Sequence, residues 1–449
     1  MLLELGKLLE SIKYDQLTER TIIKAKTVIL NFFGGCLAGA DDPLTMAEKA
    51  VWESQHVSGD CVILGHKGKT SPMAAASVNA LMGQIYLLED CHENTISHPG
   101  VVVIPIVMAL GQSLKAGGRQ IIEAIVVGYE SIGRIGSVLI APGFPEFGLR
   151  PASTMAPFGG AAAAAKIMGL KAEGISNSLS IVGNTASGVM EFVNSGTVDI
   201  CLQNCFAAKN SLMAVMLAAN GIKGAPTILE GQFGLGRALN QRELDWSPVL
   251  AERPGHYMID ESFIKRFPGC GHVLATAQAA TSLVKRFAID PQNVEKVIVG
   301  VSRRAKEFPG VDYAGPYSGP ISAMMSHQFM VSSTLVHGEI SVNTVKMYDH
   351  PEVARVAKKV FVEVDEDIDR AFPHKTGARL TVHLKTGETI SDYQEDLNPL
   401  NLDEVIQRFR NNAKGFLSDH RIDEIIDKTL NIESLDSINS LMDLLEPDK

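Results

Sequence analysis

Little in this chain points to a framework of cross-links, a membrane anchor or a surface for polyanions. Cysteine supplies six of 449 residues (Cys36, Cys61, Cys91, Cys201, Cys205 and Cys270), too few and too scattered for the disulfide lattice of a small secreted domain. Aromatic residues are only 6%, whereas glycine supplies 40 positions. That balance favours helices packed through small side chains over a β-sandwich. The longest strongly apolar run, Val101 to Leu110, falls well short of the ~20 residues that cross a bilayer. Basic residues number 41 against 51 acidic ones, a net charge of −10, and no Lys/Arg cluster offsets the excess. Neither nucleic acid nor a membrane is an expected partner. An anionic ligand must then be held by a few local cations, and the expected location is cytoplasmic.

What is present is the composition of a globular protein, 45% hydrophobic and 20% charged, which excludes a largely disordered chain. At roughly 150 residues per domain, the length suggests two or three domains, or one large core with an appendage. Leu2, Leu5, Leu9 and Ile12 mark an amphipathic first helix interrupted by Glu4, Lys7 and Glu10, unlike a signal peptide. Helical periodicity continues to about residue 250, with Ser71-Pro72 as a cap and first turn and Pro99 opening the run from Val101. After residue 260 the period changes to that of strands, at 294–301, 359–364 and a hairpin over 378–390 that turns at Thr386-Gly387. From Asn401 the chain is helical and charged again. The expected fold is mainly α with an α+β lid. A large helical domain (1–262) continues in a C-terminal return (396–449), and a smaller α+β domain (263–395) is inserted between them.

The densest polar segment runs from Glu89 to Pro99, between two apolar helices. Its two histidines and three carboxylates suit proton transfer, because an imidazole titrates near neutrality and a carboxylate beside it sets its tautomer. The spacing matches no zinc motif, and Cys201 with Cys205 has no histidine nearby, so no metal is expected. A second candidate is the basic turn Lys265 to His272, which enters a helix and could cradle a carboxylate. The third is the loop around Arg150. The stretch Gly231–Gly236 follows no clear strand and lacks a phosphate-loop lysine, and no G-x-S-x-G elbow is present.

Seven segments in order carry a family resemblance: AKTVILNFFGGCLAGA, SPMAAASVNALMGQIYLLEDCHENTISHPG, APFGGAAAAAKIMGL, KRFPGCGH, SHQFMVSSTLVHGEI, KKVFVEVD and ARLTVHLKTGETI. With these the chain resembles the MmgE/PrpD family nearly end to end. The resemblance implies a helical domain with an α+β lid, a site between them and a homodimer. It also implies cofactor-independent chemistry on small di- or tricarboxylates, in which a proton is moved next to a carboxylate. Dehydration or decarboxylation is the leading expectation. Epimerisation and non-catalytic binding of an acidic metabolite are the alternatives.

Carried over by position, the resemblance makes His98 and His272 proton carriers and places Asp90 and His92 in the catalytic stretch. Lys265 and Arg266 would bind carboxylate, with Arg150, Cys91 and Cys270 also lining the pocket. The chain departs from the family's usual residues at Leu87 (often Asp), Cys91 (Thr), Arg150 (His), Ile200 (Lys), Gln203 (His), Cys270 (His) and Ser333 (Tyr). Those departures remove an acid and a cation from the implied pocket, while Arg150 adds a guanidinium.

Overall fold

Capping chemistry sets where the long helices begin. Glu19–Gly39 starts where the Thr18 hydroxyl accepts the Thr21 N–H, and Pro72–Met82 starts where Ser71 accepts that of Ala74. The computed structural model describes residues 1–140 and 148–448. Further helices at Gly100–Leu114, Gly118–Leu139, Pro151–Ile167, Ala172–Gly183 and Asp199–Ala219 complete a helical body. Glycine permits their close contact. A Cβ on Gly128 would stand 2.7 Å from Val103 and 3.1 Å from Ala163. The alanines Ala161–Ala165 are fully buried against neighbouring helices.

The tail helices Leu402–Ala413 and Asp419–Leu430 pack on Glu19–Gly39. Val405, Phe409, Ile422 and Ile425 thereby join the same apolar core as Leu2, Leu30, Val103 and Phe158. The body is thus closed by residues from both ends of the chain.

Between these parts lies a four-stranded sheet. Nearer the amino terminus, β1 (Cys61–Val62) and β2 (Lys69–Thr70) form a small ladder in the body, and β3 (Asp90–His92) pairs with β4 (Ser262–Ile264). The sheet itself has the order β6-β5-β7-β8, from β5 (Val294–Val301), β6 (Val360–Val364), β7 (Ala378–Leu384) and β8 (Thr389–Gln394). β5 and β6 run parallel; the other pairs are antiparallel. Leu380 and Val382 face inward, as the alternation predicts, and pack with Val297 and Val299 under the helices Leu274–Arg286 and His327–His337. The fold is mainly helical with a smaller mixed α+β region inserted.

A separate apolar cluster joins the two parts. It combines Leu87, Leu88, Ile200 and Cys201 of the body with Phe267, Val273, Met324 and Phe329 of the inserted region. The segment 89–98, read from the sequence as a loop, is the short strand β3 followed by a 3-10 turn at Glu93–Thr95.

Candidate functional site

The β3–β4 ladder organises this seam. Asp90 is opposite Ile264, Cys91 opposite Phe263 and His92 opposite Ser262. One step beyond the ladder, the same register sets Glu89 against Lys265. Because side chains alternate along a strand, Glu89, Cys91 and Lys265 share one face. Asp90 and His92 point to the other.

On the first face, the Lys265 ammonium donates to Glu89 Oε1, with both side chains 1% exposed. Burial opposes both charges, yet their mutual attraction prevails: the Glu89 carboxyl lies below its ordinary range and Lys265 above. Gln84 Nε2 also donates to Glu89 at 3.3 Å, and Asn204 Nδ2 donates to Gln84 Oε1 at 2.8 Å. The two amides fix the carboxylate in the seam.

His98 reaches the same face from the end of the polar segment. Its Nδ1 lies 2.9 Å from the Asp90 carbonyl oxygen, 3.4 Å from Cys91 Sγ and 3.5 Å from Glu89 Oε1. A carbonyl only accepts, so Nδ1 carries the proton in that bond and Nε2 keeps its lone pair. Burial, then the positive charge of Lys265, lowers the His98 pKa to about 3, so the ring is neutral near pH 7. Its side chain keeps 19% of its exposure, more than the ion pair beside it.

Arg150 precedes the helix Pro151–Ile167, and its N–H donates to the Gly188 carbonyl at 2.7 Å. The guanidinium is buried and donates to Ser153 Oγ at 3.0 Å; Ser153 in turn donates to Gln203 Oε1. Glu89 and the thiols of Cys201, Cys270 and Cys91 stand within its electrostatic reach. Burial pushes all three thiols up, so they are neutral. No group of three His, Cys, Asp or Glu side chains among the described residues has metal-binding geometry.

The register turns the other expected residues elsewhere. Asp90 Oδ2 accepts from Tyr129 at 2.8 Å and Oδ1 from the Gly100 N–H at 3.0 Å; burial raises its pKa to about 6. His92 Nδ1 meets Thr95 Oγ1 at 2.8 Å, and Nε2 lies 3.4 Å from Glu261. Arg266 grips Glu404 of the tail with both Nη atoms, at 2.7 and 2.9 Å, and donates to the Asn398 carbonyl. Its guanidinium is therefore not brought to the cluster. The His272 imidazole lies 4.3 Å from the Phe308 ring, near Arg304 and His327; burial, then Arg304, lowers its pKa to about 3. Only its backbone N–H reaches the site, at Cys270.

The structure thus gathers His98, Lys265, Arg150, Cys91 and Cys270, and adds Glu89, Gln84, Asn204 and Cys201. Glu89 carried one available signal, its place in the polar segment. Gln84 and Asn204 carried none, because each sits inside an apolar helical stretch.

A neutral imidazole beside a buried ion pair and a second buried cation has the chemistry to accept a proton next to an anionic group. The chain belongs to the MmgE/PrpD family: the family's N-terminal domain matches residues 3–247 and its C-terminal domain residues 267–432. It is similar to cis-aconitate decarboxylase of Aspergillus terreus, at 25% identity over 96% of this chain and 93% of that protein. It is also similar to human cis-aconitate decarboxylase, at 26% identity over 98% and 93%. A cis-aconitate decarboxylase-like protein of Aspergillus oryzae is 23% identical, over 98% and 96%. Family membership supports a lyase-like activity on a carboxylate substrate.

Proposed function

We propose that the protein is a lyase that moves a proton next to a carboxylate of a small organic acid, with His98 as the proton carrier. The supporting observation is the pairing of a neutral imidazole, whose Nε2 has no hydrogen-bond partner among the described residues, with a buried cation at Lys265. His98 Nε2 accepts the proton from the carbon, or returns it after a leaving group departs. Negative charge then develops on the substrate carboxylate. Lys265 and Arg150 stabilise it in surroundings of low polarity, where such charges act strongly. Loss of water and loss of carbon dioxide share this electronic demand; the substrate's leaving group decides between them. Asp90 and His92 act in this reading by shaping the backbone that presents His98, since the Asp90 carbonyl sets the imidazole's tautomer.

We propose in addition a homodimer. Phe206, Met213, Met216 and Leu217 recur at helical spacing on Asp199–Ala219 and are 39–50% exposed, an apolar stripe suited to a second copy. Light scattering giving twice 48.3 kDa supports this; a monomer at micromolar concentration removes it.

The activity is tested by proton NMR in deuterium oxide with a panel of small carboxylic acids. Turnover or deuterium incorporation next to a carboxylate is expected, reduced at least ~100-fold in a folded His98→Ala variant. Unchanged turnover in that variant would remove His98 from the mechanism.

A further inference from the structure

On the face of the ladder that holds Glu89, the charges do not balance. Lys265 is neutralised by Glu89. His98 is neutral. Arg150 is 6% exposed, and among the described residues no carboxylate lies within ion-pair distance of it; Ser153 Oγ is its hydrogen-bond acceptor. A buried guanidinium ordinarily has an anionic partner, because desolvating it unpaired is costly. Its place at the start of a 17-residue helix adds the positive end of a dipole to the same spot. Among the described residues the site therefore carries one positive charge without an anionic partner.

Among the described residues, the surroundings offer no second cation of this kind. The three thiols in reach of Arg150 are neutral, and Leu87 and Ile200 are 1% and 5% exposed in the same apolar cluster as Cys201. Thiols and branched aliphatics accommodate alkyl or thioether groups, whose polarisable surfaces pack well against sulfur. For further carboxylates they provide at most the weak S–H donor of a thiol.

From a guanidinium without an anionic partner among the described residues, and from its thiol and aliphatic neighbours, we infer that the site is built for a monocarboxylic acid with an uncharged alkyl or thioether body. The carboxylate sits on Arg150 and the apolar remainder lies toward Ile200, Cys201 and Leu87. This inference rests on the proposed proton-transfer function and narrows it to reactions that keep the carboxylate, such as loss of water or another leaving group, because a monoacid has no carboxylate left to hold charge once carbon dioxide departs.

Titration calorimetry on the full chain tests it with four probes: crotonate, 3-(methylthio)propanoate, the dicarboxylate mesaconate and the tricarboxylate cis-aconitate. The monoacids are expected to bind at least ~10-fold more tightly than mesaconate, and cis-aconitate weakest, because each further carboxylate enters without a partner. Arg150→Met should weaken the monoacids at least ~10-fold. Ile200→Lys, which supplies a second cation, should instead raise the affinity for mesaconate. If cis-aconitate binds the native protein as tightly as the monoacids, the inference falls while the proposed lyase function stands. If no carboxylate binds, both fall.

Discussion

Glu89 and Lys265 are 176 positions apart in the chain, yet they meet as the next rung of the β3–β4 ladder, each side chain 1% exposed. Their ion pair fastens the helical body to the inserted region at the point where the chemistry is proposed.

Removing one partner leaves the other as an uncompensated buried charge. Lys265→Met should therefore destabilise the protein by about 3–5 kcal/mol. Adding Glu89→Gln should recover most of that loss, because the orphaned charge is gone. Urea denaturation of the two single variants and the double variant measures both steps. Equal stability of the single and double variants would contradict the buried pair.

The acid limb of activity should lie unusually low. An ordinary histidine loses base function as pH falls through about 6.5, whereas His98 is held at about 3 by burial and Lys265. The free-enzyme profile of kcat/KM should stay level from pH 7 to about 5. Stability carries the same sign. Between the ordinary value and about 3 the unfolded chain binds a proton that folded His98 does not, so stability is lost as pH falls through that window. His98→Gln should flatten this dependence. A midpoint for kcat/KM near 6.5 in the native enzyme would rule the assignment out.

Glu261 ties down the segment that leads to His98. It accepts from Asn94 at 2.9 Å, lies 3.4 Å from His92 Nε2 and pairs with Arg253. Glu261→Gln keeps the shape but weakens these contacts. Hydrogen exchange at residues 92–98 should accelerate, and kcat should fall more than KM rises, since the imidazole is misplaced while the cations remain. A change in KM alone would argue against a positioning role.

Ile96 has φ +47 and is 42% exposed. A β-branched residue is strained in this left-handed conformation, which asparagine tolerates. Ile96→Asn should raise stability by about 1 kcal/mol, read as a higher urea midpoint with an unchanged slope.

Long-period features were legible from residues alone. The strand alternation of Leu380 and Val382, the Gly387 turn and the cap at Ser71 all depend on local chemistry. The three-residue strands β3 and β4 were not, because neither has a pattern of its own; each exists through pairing with a distant partner. That omission accounts for the mixed outcome at the site. Lys265 and Arg266 are neighbours in sequence, but one side chain enters the seam while the other turns out to Glu404. Asp90 and Cys91 divide in the same way. His272 has the right backbone position, yet its ring lies on Phe308. Only tertiary structure decides such directions.

Arg408, in the tail helix Leu402–Ala413, donates at 2.7 Å to the backbone carbonyls of both Lys265 and Arg266 and at 3.1 Å to Asn31. A ribosome delivers that guanidinium more than 130 residues after the lysine whose main chain it braces. During synthesis, then, the ammonium that Glu89 awaits stands on an unsecured stretch until the tail docks. Competence for chemistry should accordingly arise late in refolding, in step with burial of Phe409 rather than with the earlier gain of helix.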